Sequence, residues 1–418
     1  MKTVLIKPNT KKKQYGVTSR FSAIEPPVWL ACLANCYDTV NIIDAEVDRI
    51  ETQQAIYERI VSDAPNADRI VILATGSHPS AHIQQKEESE KLGKYLFERG
   101  YSVEVYDYLT FDPTTINLPR WDLIDLSKYR AHNWHGWGRE SRQPYGAIFT
   151  TISCPYSCKF CTIKSFYRSN YKKRDIDKII EDIGTQYHKY NVRNFKMMDE
   201  LFLLPSKRTH DVLEAFETNF EDLNIWAYAR IDTVNEDLLK RAKKAGITWL
   251  AYGIESGNYE IRKEMNKGTF TNERIKDIIK MTKDAGINVL GNYMFGFWED
   301  NYLKMNETMD LAEKLNCEYS NFYCTVAYPG SPFYDLMKER GVDLPKETDE
   351  YAQMSPKFKP LSTRYLSAQQ VLEFRDRMFN IYHSNPKYLS MMEKRFGENV
   401  VNEIRDMLNV KIEREMLK

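Results

Sequence analysis

Short apolar runs alternate with helical patterns along the first quarter of the chain. Four runs predict buried strands: TVLIKP (3–8), VNIIDA (40–45), RIVILAT (69–75) and SVEVYDY (102–108). Strand–helix alternation of this kind is typical of a parallel sheet with helices on both faces. Residues 1–110 are therefore predicted to form a small Rossmann-like domain.

The alternation begins again at residue 145, after a proline- and aromatic-containing segment (111–144) that we interpret as a linker. Six runs predict strands: YGAIFTTIS (145–153), NFKMMDEL (194–201), NIWAYARI (224–231), TWLAYGIES (248–256), NVLGNYMFG (288–296) and NFYCTVAY (321–328). Two Lys-rich helices are predicted to end at Gly246 and Gly286, each followed by an apolar strand. Residues 145–340 thus predict a partial (β/α)₆ barrel of the TIM type, with the active site at the carboxyl ends of its strands.

The last part of the chain (341–418) predicts a helical region packed against the barrel. Ser367 with Gln370 is typical of a capping box, and Asn385–Pro386 predicts a helix start, with Gly397 at that helix's end. The predicted fold class is therefore α/β: a Rossmann-like sheet, a partial barrel and a C-terminal helical segment.

Charge and hydropathy exclude several classes of partner. Lys+Arg and Asp+Glu are equal at 59 each, so net charge gives no electrostatic reason to expect nucleic acid or an anionic membrane surface. No apolar run approaches the roughly 20 residues of a membrane span. We expect a cytoplasmic protein that acts on a small molecule. In that compartment clustered cysteines are ligands rather than disulfides.

Three cysteines lie within eight residues directly after the first barrel strand. Cys154, Cys158 and Cys161 have C-x₃-C-x₂-C spacing. Three thiolates can hold three irons of a [4Fe–4S] cluster and leave the fourth iron open to a substrate. The alternative is a zinc knuckle that recruits His132 or His135 as its fourth ligand.

The triplet, with the aromatic Phe160 before its last cysteine, resembles the signature of radical S-adenosylmethionine (SAM) enzymes. The resemblance implies that the open iron binds the amino and carboxylate groups of SAM. One electron from the reduced cluster then breaks the sulfonium C–S bond and gives methionine and a 5′-deoxyadenosyl radical that abstracts hydrogen. It also implies an electron donor, such as a flavodoxin or a ferredoxin.

The resemblance extends along the predicted strand ends. It implies SAM-binding positions at Asp199 and Glu200 for the amino group, and at Arg230 for the carboxylate. On later strands it implies contacts from Gly253, Glu255, Ser256, Asn292 and Gly296, and a Pro-Gly turn near substrate in AYPGSPFY (327–334).

The N-terminal region resembles the cobalamin-binding domain of one large subgroup. The resembling pieces are IEPPVWLACLA (24–34), VNIIDAE (40–46), VILATGSHPSA (71–81) and the linker LPRWDLIDLSKYRAHNW (118–134). The pattern departs from that subgroup in two respects: D-x-H-x-x-G is absent, and the domain is short and lacks the Gly-Gly loop. HNWHGWGR (132–139), expected beside the barrel mouth, either covers a cofactor or packs the domains together.

Three hypotheses about function remain open from the sequence. The first is cobalamin-assisted C-methylation of a small molecule by radical SAM chemistry. The second is cobalamin-independent rearrangement, oxidation or cyclisation. The third, from another class, is a non-catalytic iron–sulfur or zinc-binding protein.

Overall fold

The first sheet has four parallel strands in the order β2-β1-β3-β4. The structure, a computed structural model, describes residues 2–76, 79–106, 111–167 and 170–418. The strands are β1 (Lys2–Lys7), β2 (Thr39–Asp44), β3 (Arg69–Leu73) and β4 (Ser102–Tyr106). The helices around them are α1 (Lys11–Tyr15), α2 (Val28–Leu33), α3 (Gln53–Asp63) and α4 (Pro79–Phe97). Residues 77–78, within the resembling piece 71–81, and residues 107–110 lie outside the described ranges.

Both faces of this sheet are buried, as the apolar runs predict. Val4 and Ile6 face a small core shared with α3 and α4. Leu5 and Val71 face the other way, into the large core that continues through the linker into the barrel. One hydrophobic core therefore joins the first sheet to the second.

Residues 111–144 wrap between the two sheets and contain the short helix α5 (Asn133–Gly136). Ile24 and Arg130 form an isolated antiparallel bridge between the linker and the segment before α2. The Trp121 indole donates to Asp182 Oδ1 at 2.6 Å, which fixes the linker to the first barrel helix.

The second sheet has six parallel strands in the order β12-β11-β10-β9-β8-β5. Its strands are β5 (Tyr145–Ile148), β8 (Asn194–Met197), β9 (Asn224–Ala229), β10 (Ile247–Glu255), β11 (Asn288–Phe295) and β12 (Tyr319–Cys324), and β6 (Thr151–Ile152) pairs antiparallel with β7 (Lys172–Lys173). The helices are α6 (Ile163–Tyr167), α7 (Ile176–Gly184), α8 (Lys207–Asn219), α9 (Glu236–Lys244), α10 (Tyr259–Glu264), α11 (Asn272–Asp284), α12 (Tyr302–Leu315) and α13 (Pro332–Glu339). This is the predicted partial barrel.

Three helices follow the barrel: α14 (Ala368–Ser384), α15 (Pro386–Phe396) and α16 (Glu398–Leu408). The predicted capping box at Ser367 and Gln370 is confirmed, with both reciprocal bonds present. The Tyr382 hydroxyl on α14 donates to Cys317 O at 2.8 Å, so this helix packs against the edge strand β12. Within the described ranges, every helix is too short or too polar to cross a lipid bilayer.

Candidate active site

The cysteine-bearing loop (residues 154–161, hereafter the cysteine loop) lies at the carboxyl edge of the barrel and is fixed by backbone hydrogen bonds. Lys159 N donates to Met265 O at 3.0 Å, just beyond α10. Lys159 O accepts from Phe333 N at 2.9 Å, in the first turn of α13. The loop that carries the thiols is thereby held between two later strand–helix units.

Phe160 anchors the same loop through its ring. It packs 6.0 Å from the ring of Phe297, which in turn contacts Phe333. These side chains belong to a small hydrophobic cluster separate from the large core. The aromatic residue before the last cysteine thus positions the cysteine loop by packing.

The three thiols are partly buried and are suited to a cluster rather than a single ion. Burial raises the pKa of Cys154, and raises that of Cys161 to about 12, so bound metal has to replace the thiol proton. Among the described residues, no three His, Cys, Asp or Glu side chains converge to hold one metal ion. A [4Fe–4S] cluster instead presents three separate irons to three separate thiolates. The donor set therefore fits the cluster.

The histidines proposed for a zinc knuckle lie elsewhere, so that alternative is wrong. His132 Nδ1 accepts from the Ala23 N–H at 3.2 Å. His135 Nε2 lies 3.0 Å from the carbonyl of Asn224, the first residue of β9, at the amino edge of the barrel. The cysteine loop follows the carboxyl ends of the strands, at the opposite edge.

Asp199 and Glu200, after β8, have different surroundings. Asp199 is fully buried and accepts from Thr150 N at 2.6 Å, Thr150 Oγ1 at 2.5 Å and Thr151 Oγ1 at 2.7 Å. Glu200 is half-buried and accepts one long hydrogen bond, from the Tyr167 hydroxyl at 3.4 Å. Burial raises the pKa of Glu200 to about 7. Asp199 therefore holds the turn after β5 together, while the Glu200 carboxylate is available to a ligand.

Arg230 connects the end of β9 to the cysteine loop. Its guanidinium binds Asp232 through two 2.8 Å hydrogen bonds and donates to Lys267 O. Its Nη1 lies 3.4 Å from Cys158 Sγ, and its guanidinium stacks on the Tyr156 ring at 3.9 Å. Arg230 therefore holds the cysteine loop against the end of β9.

The end of β10 is shaped by Gly253, Glu255 and Ser256. Glu255 has a φ of +63° and pairs with Lys267 Nζ at 2.9 Å. A Cβ at Gly253 would collide with the ends of both side chains of that pair, so a larger residue there would require the pair to shift. The Ser256 hydroxyl lies 3.3 Å from Thr308 Oγ1, on the helical side of the strand.

On β11, Asn292 and Gly296 have separate tasks. Asn292 Oδ1 accepts from Asn321 Nδ2 at 3.0 Å across neighbouring strands. Gly296 has a φ of +93° and donates its N–H to Asp300 Oδ2 at 2.9 Å, which closes the turn after the strand. In the Pro-Gly turn, Gly330 O accepts from Ser165 Oγ at 2.7 Å, so this turn also contacts the segment after the cysteine loop.

The barrel interior has layers, because alternate residues of each strand face inward. The floor contains Trp226, Trp249 and Tyr319, all buried. Trp134 of the linker closes this floor, with ring centroids 5.5 Å from Trp226 and 5.1 Å from Trp249. The expectation that HNWHGWGR lies beside the barrel mouth is therefore wrong: it seals the amino end and packs the domains together.

Several charged residues near the site were not identified from the sequence. Lys196 on β8 binds both carboxylate oxygens of Glu25 at 2.8 Å. Lys7 pairs with Glu46 at 3.0 Å at the carboxyl edge of the first sheet. Lys267 lies in a turn with no periodicity or motif. Glu25 is part of the resembling piece 24–34, but its partner on β8 is 171 residues away, and no sequence signal connects them.

Residues 148–312 match the family model described as the Radical SAM superfamily. Residues 148–312 are therefore a radical SAM domain, which includes the cysteine loop and the ends of β8, β9, β10 and β11. This domain indicates an enzyme and implies a [4Fe–4S] cluster and SAM as cofactors, so the third hypothesis, a non-catalytic metal protein, is set aside.

Two curated relatives of this chain are named methyltransferases. An uncharacterized methyltransferase of Pyrococcus horikoshii is 24% identical over 274 residues, which cover 66% of this chain and 57% of the relative. Bacteriochlorophyllide d C-12(1)-methyltransferase of Chlorobaculum tepidum is 24% identical over 408 residues, covering 89% and 85%. The match thus spans just over half of the first relative's length.

Two solved structures share the fold of this chain. The methyltransferase TsrM of Kitasatospora setae, with cobalamin and a [4Fe–4S] cluster bound, matches with a TM-score of 0.64 at 13% identity, over 97% of this chain and all of that one. The cobalamin-dependent enzyme OxsB, with aqua-cobalamin and SAM bound, matches with a TM-score of 0.65 at 14% identity, over 100% and 74%. The likeness includes the first sheet as well as the barrel, which confirms the predicted fold class.

Proposed function

We propose that this protein is a radical SAM methyltransferase that transfers a methyl group to an unactivated carbon of a small molecule with the help of cobalamin. The observation that carries the proposal is the cysteine loop at the carboxyl edge of a six-stranded barrel, with Glu200 and Arg230 at neighbouring strand ends. When bound, the cluster and SAM supply the radical chemistry. The chain itself binds, orients and shields the reactants.

We assign the SAM contacts from the geometry of the strand ends. Cys154, Cys158 and Cys161 hold the cluster. Glu200, rather than Asp199, receives the SAM amino group, because the Asp199 oxygens already accept three hydrogen bonds. Arg230 faces the SAM carboxylate.

The remaining residues predicted to contact SAM fall into two groups, those with accessible groups and those whose polar groups are already bonded within the chain. Gly253 and the Asn292 amide are both half-buried at the interior. Both are proposed to contact SAM directly, Gly253 beside the Glu255–Lys267 pair that fills the space next to it. Ser256 and Gly296 act through the turns they hold, because Ser256 bonds towards α12 and the Gly296 N–H is already satisfied.

Cobalamin is proposed at the carboxyl edge of the first sheet, facing the barrel. Gln84 on α4 is fully buried, and neither its amide nitrogen nor its amide oxygen has a hydrogen-bond partner among the residues that the structure describes. A buried amide without a partner is costly, and a ligand rich in amide groups would satisfy it. Gln84 is therefore the residue of α4 that we expect to contact the cofactor.

The second candidate function is radical SAM chemistry without cobalamin. It is favoured by the ion pairs of Lys7 with Asp44 and Glu46, which fill the edge after β1 and β2. In both candidates a small-molecule substrate and a cytoplasmic electron carrier, a flavodoxin or a ferredoxin, are the proposed partners.

The proposal is tested with anaerobically reconstituted protein. The expected result is about four irons and four acid-labile sulfides per chain, formation of 5′-deoxyadenosine and methionine from SAM under reduction, and one bound methylcobalamin. Cys158→Ala should lose the cluster and the cleavage of SAM, whereas Cys36→Ala, an exposed cysteine of the first domain, should keep both. Cleavage of SAM by the Cys158→Ala protein contradicts the radical SAM assignment. Absence of cobalamin binding together with SAM cleavage selects the second candidate.

A further inference from the structure

The middle of the barrel interior is open, unlike its floor. On β9, the inward-facing series runs from Trp226 in the floor through Tyr228 to Arg230 at the cofactor edge. Trp226 is buried, whereas Tyr228 is half-buried, although α8 and α9 cover the outside of the strand. Exposure at an inward position of a central strand means that space exists inside the barrel.

The same pattern is found on the other side of the interior. On β12, Tyr319 is buried in the floor, whereas Asn321 and Tyr323 above it are half-buried. On β11, Asn292 and Met294 pair in register with these two residues and are also half-buried. The space therefore extends from β9 to β12 above the floor and below the cofactor edge. We call it the lumen.

The walls of the lumen are aromatic and carry hydrogen-bonding groups. Tyr228 and Tyr323 occupy inward positions on β9 and β12, which are three positions apart in the sheet, so they contribute to different walls of the lumen. The hydrogen-bonded amides of Asn292 and Asn321 add polar groups on β11 and β12. Met294 adds a polarisable apolar surface. Such walls stack against rings and bind polar substituents at their edges.

The cations around the lumen are all neutralised by the chain itself. Lys196 is paired with Glu25, Lys267 with Glu255 and Arg230 with Asp232. Phosphate recognition uses Arg or Lys side chains that are free to bind oxygen atoms. In the part of the chain that the structure describes, no such unpaired cation faces this space.

We propose that the lumen binds an uncharged, ring-containing small molecule with hydrogen-bonding substituents, held between Tyr228 and Tyr323. This inference rests on the proposed function, for which it names the substrate class. Polyanionic substrates are excluded because Lys196 and Lys267 each have a carboxylate partner, and Arg230, which also binds Asp232, is the residue proposed for the SAM carboxylate. The apolar walls also keep water away from the carbon that reacts.

The test uses two fluorescent probes with the same ring system and different charge. Reconstituted wild-type protein is titrated anaerobically with pyrene-1-methanol and with pyrene-1-sulfonate. The expected result is that pyrenemethanol binds at least about tenfold more tightly, a difference of about 1.4 kcal/mol. Equal binding of the two probes, or tighter binding of the sulfonate, overturns the proposal.

Variants locate the binding site. Tyr228→Ala and Tyr323→Ala should each weaken pyrenemethanol binding at least about fivefold, since each removes one aromatic wall. Tyr302→Ala, at a tyrosine that is 41% exposed on α12, should leave it unchanged. Tyr228→Phe keeps the ring and should retain binding of unsubstituted pyrene while reducing the preference for pyrenemethanol. If Tyr302→Ala weakens pyrenemethanol binding as much as Tyr228→Ala does, the probe does not bind in the lumen.

SAM cleavage, measured on the same wild-type samples, separates this inference from the proposed function. If 5′-deoxyadenosine forms but the sulfonate binds more tightly than pyrenemethanol, only the proposed substrate class is overturned. Selective pyrenemethanol binding without 5′-deoxyadenosine overturns only the radical SAM reaction.

Discussion

At the scale of single residues, the adjacent carboxylates of Asp199 and Glu200 have different roles. Asp199 and Glu200 are adjacent in the sequence, and composition and spacing do not distinguish them. Asp199 accepts three hydrogen bonds from two threonines, and Glu200 has one long contact to Tyr167. The difference arises because only Asp199 lies within reach of the turn after β5.

We expect Glu200→Gln to weaken SAM binding by about 10- to 100-fold, the range for loss of a charge-assisted hydrogen bond. Anaerobic calorimetry with SAM measures the change. Asp199→Asn is the matched control: it should lower the unfolding temperature, because one amide oxygen cannot accept from all three donors. Equal loss of SAM affinity in both variants, with unchanged stability, would contradict the assignment.

The Glu200 carboxyl group also predicts that the affinity for SAM depends on pH. Burial raises the pKa of Glu200 to about 7, opposed by Lys196 and by the hydrogen bond from Tyr167 and reinforced by Asp199. Below pH 7 the carboxyl group is neutral and attracts an ammonium group less strongly. SAM affinity should therefore rise between pH 6 and pH 8 in the wild type. Titrations across this range should be flatter for Glu200→Gln, and a wild-type slope retained by that variant would exclude Glu200 as its source.

At the scale of elements, the linker helix α5 completes the barrel from below. Trp134 packs its ring against residues from β9, β10 and β12, three strands that the sequence separates by about 20 to 90 positions. A closed floor turns an incomplete barrel into a lumen with a fixed depth.

Trp134→Ala should lower the free energy of unfolding by about 3–5 kcal/mol, because it leaves a cavity among three aromatic rings. Urea unfolding provides the measurement. Trp298→Ala is the comparison: that ring is half-buried and stacks on Arg340 at 5.1 Å, so a loss of about 1 kcal/mol or less is expected. A similar cost in the two variants would show that Trp134 does not close the floor.

Elements with a strong local pattern could be predicted from sequence, and elements shaped by distant contacts could not. The strands of both sheets and the cap at Ser367 follow from apolar runs and turn residues. The strand predicted over 145–153 instead ends at Ile148, because Thr150 turns to bind Asp199. No sequence pattern indicates that α7 widens into a π-helix at Thr185–Lys189, where buried Gln186 accepts from Ala147 N and donates to Ala147 O.

The residues of the candidate site also fall into those that could be predicted from the sequence and those that could not. The cysteine spacing and the strand ends place the main ligands in advance. Lys267, Glu25 and Lys196 act through partners that lie far away or in unpatterned turns, and only the folded chain brings them together.

At the scale of the whole molecule, the Lys196–Glu25 ion pair joins the barrel interior to the segment before α2. Both side chains are largely buried, with 7% and 18% exposure. Removing one member of a buried pair leaves an uncompensated charge, whereas removing both does not.

We therefore expect Lys196→Met alone to cost about 3–5 kcal/mol. The double variant with Glu25→Gln should cost less than the sum of the single changes, with a coupling energy above about 1 kcal/mol. The exposed pair Lys207–Asp211, at 2.9 Å on α8, provides the control cycle, and about 0.5 kcal/mol or less is expected there. Additive effects at Lys196 and Glu25 would show that the pair does not connect the two parts energetically.

The sealed floor imposes a sequence of events on turnover. A binding site that is closed at one end fills and empties through the other end, so the molecule that binds deepest enters first and leaves last. We have proposed the substrate at the level of Tyr228 and SAM above it near Glu255, and in that arrangement the substrate binds before SAM and the product leaves after the fragments of SAM. We therefore expect ordered steady-state kinetics, with the floor around Trp134 closing the other route.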